Sequence, residues 1–203
     1  MKLKHLPNML TLFRIAIIPV FILIFYLPVS WAHLGATLLF SLAAITDWLD
    51  GYLARTLQVS TRLGAFLDPV ADKLIVCIAL VMIVGESQFQ FVSAPNSIVT
   101  VPVSMMVIPA VIIVSREIVV SALREWMAEL GKRTSVAVSW LGKVKTAVQM
   151  FALIVLLYCG PSTSAFIIFI GYLLLYIAAV LTIWSMIIYI KAAWPELISG
   201  NDN

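Results

Sequence analysis

The chain has 203 residues, 63% of them apolar and 11% charged, with a mean hydropathy of +1.08 and a formal net charge of +3. That composition excludes an ordinary soluble domain and leaves a polytopic membrane protein. A helix needs about 20 apolar residues to cross a bilayer, so the expected fold is all-α, a single domain over residues 1–203 built from around six spans with short loops.

The first segment opens with Lys2 and Lys4, turns at Pro7 and Asn8, and runs apolar to Leu27. No small-residue cleavage site precedes further spans, so it reads as a retained helix and not a removed signal peptide. Asn8, Thr11 and Arg14 follow one another at intervals of three on one face, near the cytoplasmic surface. Arg14 is the odd residue of an apolar segment: it snorkels, pairs with an acidic group from another span, or meets a substrate.

The second span, about Trp31 to Arg55, carries Asp47, Asp50, Gly51, Ala54 and Arg55 at its end. On a helix turning about 100° per residue these five fall within roughly 140°. Gln58 to Arg62 is polar and reads as a tight turn. The third span, Gly64 to Val84, places Gly64, Asp68 and Asp72 on one face, with Pro69 either bending the helix or tolerated by its neighbours.

An Asp near the centre of a membrane helix costs about 2.5–3.5 kcal/mol, so four of them ask for roughly 10 kcal/mol of compensation. Carboxylates brought so close repel or hold protons unless cations lie between them. Clustered hard oxygens are what Mg²⁺ or Mn²⁺ prefers, which points to a metal site, with two ions the expected number. A cation path in a transporter is the other reading of intramembrane Asp, but it leaves the intervening Gly, Ala and Arg unexplained. Gly51 and Ala54 either let helices pack closely or make room for a ligand.

The string Asp47-x-x-Asp50-Gly51-x-x-Ala54-Arg55, then eight residues, then Gly64-x-x-x-Asp68-x-x-x-Asp72, resembles the signature of the CDP-alcohol phosphotransferases, membrane enzymes of phospholipid synthesis. The resemblance implies that the aspartates bind metal, that Asp72 also acts as the base, and that Gly51 makes room for a nucleotide. It implies donor contacts from Asn8, Thr11, Gly51, Ala54, Arg55 and Gly64, and a homodimer.

The fourth span is expected from Ser97 to about Met127. It runs into a basic stretch with Arg116, Arg124, Lys132, Arg133, Lys143 and Lys145, which Glu117, Glu125 and Glu129 partly offset. Arg and Lys at a membrane mouth recognise phosphate, and they also set topology and attract anionic lipid. For Lys132 and Arg133 the second role is preferred. Arg116, Arg124, Lys143 and Lys145 are the candidates for an acceptor-phosphate pocket, Lys143 and Lys145 following a Trp140-Leu141-Gly142 turn. Lys73 reads as a headgroup anchor. The passage resembles the bacterial branch of the family that makes phosphatidylglycerophosphate, which implies CDP-diacylglycerol as donor and glycerol 3-phosphate as acceptor. A sister transferase with another acceptor is the alternative within the family. No nucleic-acid partner is expected.

The fifth span is about Lys143 to Tyr158 and the sixth about Phe166 to Tyr189, with Tyr158, Tyr189 and Trp194 suited to an interfacial belt and nothing in either span suggesting chemistry. Asn201 to Asn203 is a polar tail. Cys77 and Cys159 lie in apolar stretches and read as packing residues. Lys and Arg are missing from Pro28–His33, Gly85–Thr100 and Cys159–Ala165. By the positive-inside rule both termini and the aspartates are expected on the cytoplasmic side of the bacterial inner membrane.

Overall fold

The buried side chains of α1 (Leu6–Phe25) include Thr11, Arg14, Ile18, Phe21 and Phe25, a spacing of three and four that gathers them on one helix face. The spacing recurs along the chain. On α2 (Ala32–Leu57) it selects Ala32, Ala36, Phe40 and Ala43, and on α3 (Arg62–Gly85) Val76, Ala79 and Ile83. On α4 (Ser104–Glu129) it selects Met106, Pro109, Ile113, Arg116 and Val120. On α5 (Trp140–Tyr158) it selects Lys145, Gln149, Ala152 and Leu156, and on α6 (Ala165–Ser199) Leu175, Ala178, Thr182, Ser185 and Tyr189. The computed structural model describes residues 6–57, 62–94, 97–131 and 140–199. The turn expected after Gln58, Lys132, Arg133 and the tail 201–203 fall outside them.

These stripes turn inward and close one core. Helix α1 packs on α2 and α3, α2 on α5, α3 on α4 and α5, and α6 on both α4 and α5. Phe21 and Phe40, with ring centroids 6.1 Å apart, share that core with Leu80, Ile83, Ile113, Leu153 and Leu156. A smaller cluster of Val120, Met127, Tyr189 and Ala193 holds the far ends of α4 and α6 together.

The outer faces are apolar too. Ile108, Val111 and Ile118 on α4, and Phe166, Phe169, Val180 and Trp184 on α6, are all exposed. Soluble monomers seldom present apolar surface this continuous, and lipid is the solvent that suits it. Among the described residues, α4 and the part of α6 from Ala165 to Glu196 are long and apolar enough to cross a membrane, and α1 and α2 contain shorter apolar stretches. At 35 residues α6 is about 52 Å long, well beyond the roughly 30 Å of hydrocarbon.

Two expectations are corrected. The chain is not purely helical: Phe91–Ala94 (β1) and Ser97–Thr100 (β2) form an antiparallel hairpin with Phe91 opposite Thr100 and Ala94 opposite Ser97. Ser97 therefore begins a strand and not the fourth span. The β-branched run Ile98-Val99-Thr100-Val101 suits a pleated surface, and Pro102 precedes the start of α4. Trp140, Leu141 and Gly142 belong to α5 and not to a turn. The turn Ser87–Phe89 that leads into the hairpin is held by Tyr172, whose hydroxyl donates to the Phe89 carbonyl at 2.9 Å, and by Gln88, whose amide donates to the Cys159 carbonyl at 2.5 Å. Both cysteines are free, Cys159 buried and Cys77 partly so.

Among the described glycines, the tightest approach lies between α5 and α6. A Cβ on Gly171 would stand 2.6 Å from Leu156 Cδ2, and Leu156 is itself fully buried. Gly171→Ala is expected to cost about 1–3 kcal/mol through overpacking, read as a lower thermal midpoint in detergent. Adding Leu156→Ala should restore part of the loss; an unchanged midpoint in Gly171→Ala would mean that the helices separate freely.

Candidate active site

The buried stripes are apolar along most of the bundle and polar at one end. Thr37 lies apart from that end, its hydroxyl satisfied by the His33 carbonyl at 2.7 Å. The other buried polar residues are Thr11 and Arg14 on α1, Arg116 on α4, Lys145 and Gln149 on α5, and Thr182 and Ser185 on α6. Direct contacts gather Arg14 with Asp47 and Asp72, and Arg116, Lys145 and Ser185 with Glu117, and the consecutive residues Asp72 and Lys73 of α3 set the two groups side by side in one tier.

The acidic half is built around Arg14. Its side chain is 2% exposed, and one nitrogen, Nη1, donates to Asp47 Oδ1 on α2 at 2.7 Å and to Asp72 Oδ1 on α3. Of the readings open for this arginine, pairing with the aspartates is the one observed. Asp47 continues the α2 stripe one turn past Ala43, and Asp72 precedes Val76 by one turn on α3, so the pattern that builds the core also delivers the carboxylates. Among the described residues, helices α2 and α3 are joined chiefly through α1 and α5. Asp47 and Asp72 thus meet on the guanidinium of Arg14 from α1.

Two carboxylate oxygens from different helices converging on one cationic nitrogen is a donor set that a divalent cation also fits. Asp50, Gly51, Ala54 and Arg55 lie on α2, Gly64 and Asp68 on α3, and Asn8 on α1, with side chains outside the described set. Asp50 is three residues from Asp47 and Asp68 four from Asp72, one helical turn in each case. Among the described residues no group of three metal-ligating side chains occurs.

The basic half lies across α3. Lys145, 1% exposed, donates to Glu117 Oε1, and Arg116 Nη1 is 3.6 Å from the same oxygen. Arg116 Nη2 donates to Ser185 Oγ at 2.7 Å, and its guanidinium carbon stands 5.5 Å from the centre of the Tyr189 ring. Lys73, next to Asp72 but about 100° further round the helix, donates to Ser121 on α4. Lys73 therefore bridges α3 to α4, which departs from its reading as a headgroup anchor. Tyr189 likewise leaves the expected interfacial belt: it is buried beneath Arg116, whereas Tyr158 and Trp194 are exposed.

Only part of the expected basic pocket is assembled. Arg124 and Lys143 are exposed. Arg124 is about 12 Å along the helix from Arg116 and 80° round it, and Lys143 is about 200° round α5 from Lys145. Glu117, Ser121, Ser185, Tyr189, Gln149 and Thr182 were not anticipated as members of the tier. The last two carry buried oxygens, Gln149 Oε1 and Thr182 Oγ1, with no partner among the described residues. The available signal was the three-and-four spacing of Thr182, Ser185 and Tyr189 in phase with the apolar stripe of α6.

Comparison with known proteins adds the identity of the tier's relatives. Residues 4–184 match the family described as CDP-alcohol phosphatidyltransferase. The chain is 50% identical over 194 residues to a CDP-diacylglycerol–glycerol-3-phosphate 3-phosphatidyltransferase of Escherichia coli strain K12, covering 96% of this chain and 97% of the relative. The proteins of the same name from Shigella flexneri serotype 5b and Shigella boydii serotype 4 match at the same identity and coverage.

Removing the cation shared by Asp47 and Asp72 should destabilise the bundle. Breaking a fully buried pair costs about 3–5 kcal/mol, but these carboxylates are 47% and 42% exposed, so Arg14→Ala is expected to cost about 1–3 kcal/mol. The measurement is the thermal midpoint in detergent, with Arg14→Lys expected between the two. An Arg14→Ala midpoint equal to the parent's would mean that water alone satisfies both carboxylates.

Proposed function

The chain belongs to the CDP-alcohol phosphatidyltransferase family, and we propose that it transfers the phosphatidyl group of CDP-diacylglycerol to sn-glycerol 3-phosphate, yielding phosphatidylglycerophosphate and CMP. The observation that carries this reading is the placement of an acidic and a basic cluster on either side of α3, in one tier of an otherwise apolar bundle. A diphosphate donor with two acyl chains and a small phosphorylated acceptor need such a pair of compartments where lipid meets water. In the bacterial inner membrane the protein is a multi-pass enzyme of six spans, with both termini and the tier on the cytoplasmic side, acting as a homodimer through its exposed apolar faces.

In this mechanism the donor's diphosphate lies over the acidic half. Asp47, Asp50, Asp68 and Asp72 would hold two Mg²⁺ or Mn²⁺ ions, which would supply charge neutralisation to the diphosphate and to the departing CMP. Asn8, Thr11, Gly51, Ala54, Arg55 and Gly64 form the donor's seat, the small residues leaving room beside α2 and Arg55 meeting phosphate charge. Asp72 takes the proton from the acceptor's primary hydroxyl as that oxygen attacks the β-phosphorus in line with the CMP oxygen. A carboxylate is a weak base for an alcohol, so proton transfer is late, in a loose transition state where bond formation lags bond breaking. Arg116 and Lys145 bind the acceptor's phosphate and so hold its hydroxyl toward α3, which contributes orientation to catalysis. Arg124 and Lys143, at the exposed rim, draw the anionic acceptor toward the opening.

The purified protein is expected to release CMP from CDP-diacylglycerol only with glycerol 3-phosphate and Mg²⁺ or Mn²⁺ present, and to stop when EDTA is added. Asp68→Ala and Asp72→Ala should each lower turnover by at least about 100-fold. Full activity in either variant, or CMP release with inositol phosphate and none with glycerol 3-phosphate, would sink the assignment. Arg116→Ala and Lys145→Ala should raise KM for glycerol 3-phosphate about 10- to 100-fold, the factor that a lost charge-assisted hydrogen bond of 1.5–3 kcal/mol represents, and leave KM for CDP-diacylglycerol unchanged.

A further inference from the structure

The basic half contains an acid. Glu117 Oε1 accepts from Lys145 and lies 3.6 Å from Arg116 Nη1, so one carboxylate oxygen serves two cations. Lys145 is 1% exposed and Arg116 9%, and neither charge is tolerated in an apolar bundle without an anion beside it. The arrangement has capacity left over. Arg116 Nε is buried with no partner among the described residues, as are the nearby stripe oxygens of Thr182 and Gln149. Two cations, one carboxylate and an unused guanidinium N–H form a cluster one negative charge short of balance. A phosphate dianion would cancel both cations alone; together with Glu117 it would overshoot.

Resting on the assignment of Arg116 and Lys145 as the groups that bind the acceptor's phosphate, we propose that Glu117 is a built-in counter-ion that occupies Lys145 in the empty enzyme and yields it to the incoming phosphate. Glu117 is then a positioning residue and not a catalytic one. It keeps Lys145 charged and in place between turnovers, and it weakens acceptor binding by competing for the same ammonium group. The side chain has somewhere to go: Glu117 is only partly buried, and Ser121, one turn along α4, already binds Lys73 from α3.

The test uses inorganic phosphate as probe and the full-length protein in detergent. Glu117→Gln keeps the side chain's shape and removes its charge. It is expected to bind phosphate about tenfold more tightly than the parent, read as thermal protection, and to lower KM for glycerol 3-phosphate by a similar factor with KM for CDP-diacylglycerol unchanged. Glu117→Asp keeps the charge and should stay within about twofold of the parent on both measures. Equal or weaker phosphate binding in Glu117→Gln would overturn the proposal, because Glu117 would then merely support Lys145. Equal tightening in Glu117→Asp would also overturn it, since charge would not be the cause. Should Glu117→Gln not fold, the parent protein suffices. A carbodiimide should join Glu117 and Lys145 as an amide, detectable by mass spectrometry, and saturating glycerol 3-phosphate or phosphate should suppress that link; an undiminished link overturns the exchange. Turnover of some other phosphorylated acceptor with these same effects would remove the glycerol 3-phosphate assignment and leave the role of Glu117 standing. Glycerol 3-phosphate turnover with none of them would do the reverse.

Discussion

Among the described residues, each charge that is fully buried in this bundle has its opposite beside it. Arg14 lies on the buried face of α1 in phase with Ile18, Phe21 and Phe25, and it is held there by Asp47 and Asp72 from two other helices. Withdrawing a guanidinium from water costs several kcal/mol, which two carboxylates with access to solvent offset. The rest of the tier obeys the same constraint with the signs reversed, Glu117 answering Lys145 and Arg116. Neutralisation within the chain explains how so many ionisable groups sit at one level of a structure whose remaining interior is chiefly aliphatic and aromatic.

Much of the helical framework was legible because each helix writes its core-facing residues at a spacing of three and four, which hydropathy reveals wherever the helix is long. Each expected span overlaps an observed helix. The hairpin was not legible: Ile98, Val99 and Thr100 are as apolar as the start of a membrane helix, and only their β-branching and the flanking Pro95 and Pro102 argued for strands. The length of α6 was also underestimated, because its continuation past Tyr189 is stabilised by packing against α4 and not by hydropathy.

The candidate site divides in the same way. The convergence of Asp47 with Asp72 could be anticipated from residue type and spacing, and pairing was one of the readings open for Arg14. The basic side was harder, since residue type alone does not distinguish Lys143 from Lys145. Two residues of helix amount to about 200°, enough to put one in lipid-facing or aqueous surroundings and the other in the core. Glu117 does not stand out in the sequence, because an acidic residue among basic ones reads as a charge offset, and its contacts emerge only when α4 and α5 are packed together. Thr182 and Ser185 escaped notice because hydroxyls barely lower the hydropathy of a helix as apolar as α6.

Asp72 and Lys73 are consecutive residues of α3, yet one reaches α1 and the other α4. A single rigid rod is thus the party wall of two rooms, its acidic side furnished by α1 and α2 and its basic side by α4 to α6. Substitutions in the second room can change its ion pairs while those of the first are left untouched. The furnishings on one side can therefore change without rebuilding the other, provided that the wall itself does not turn.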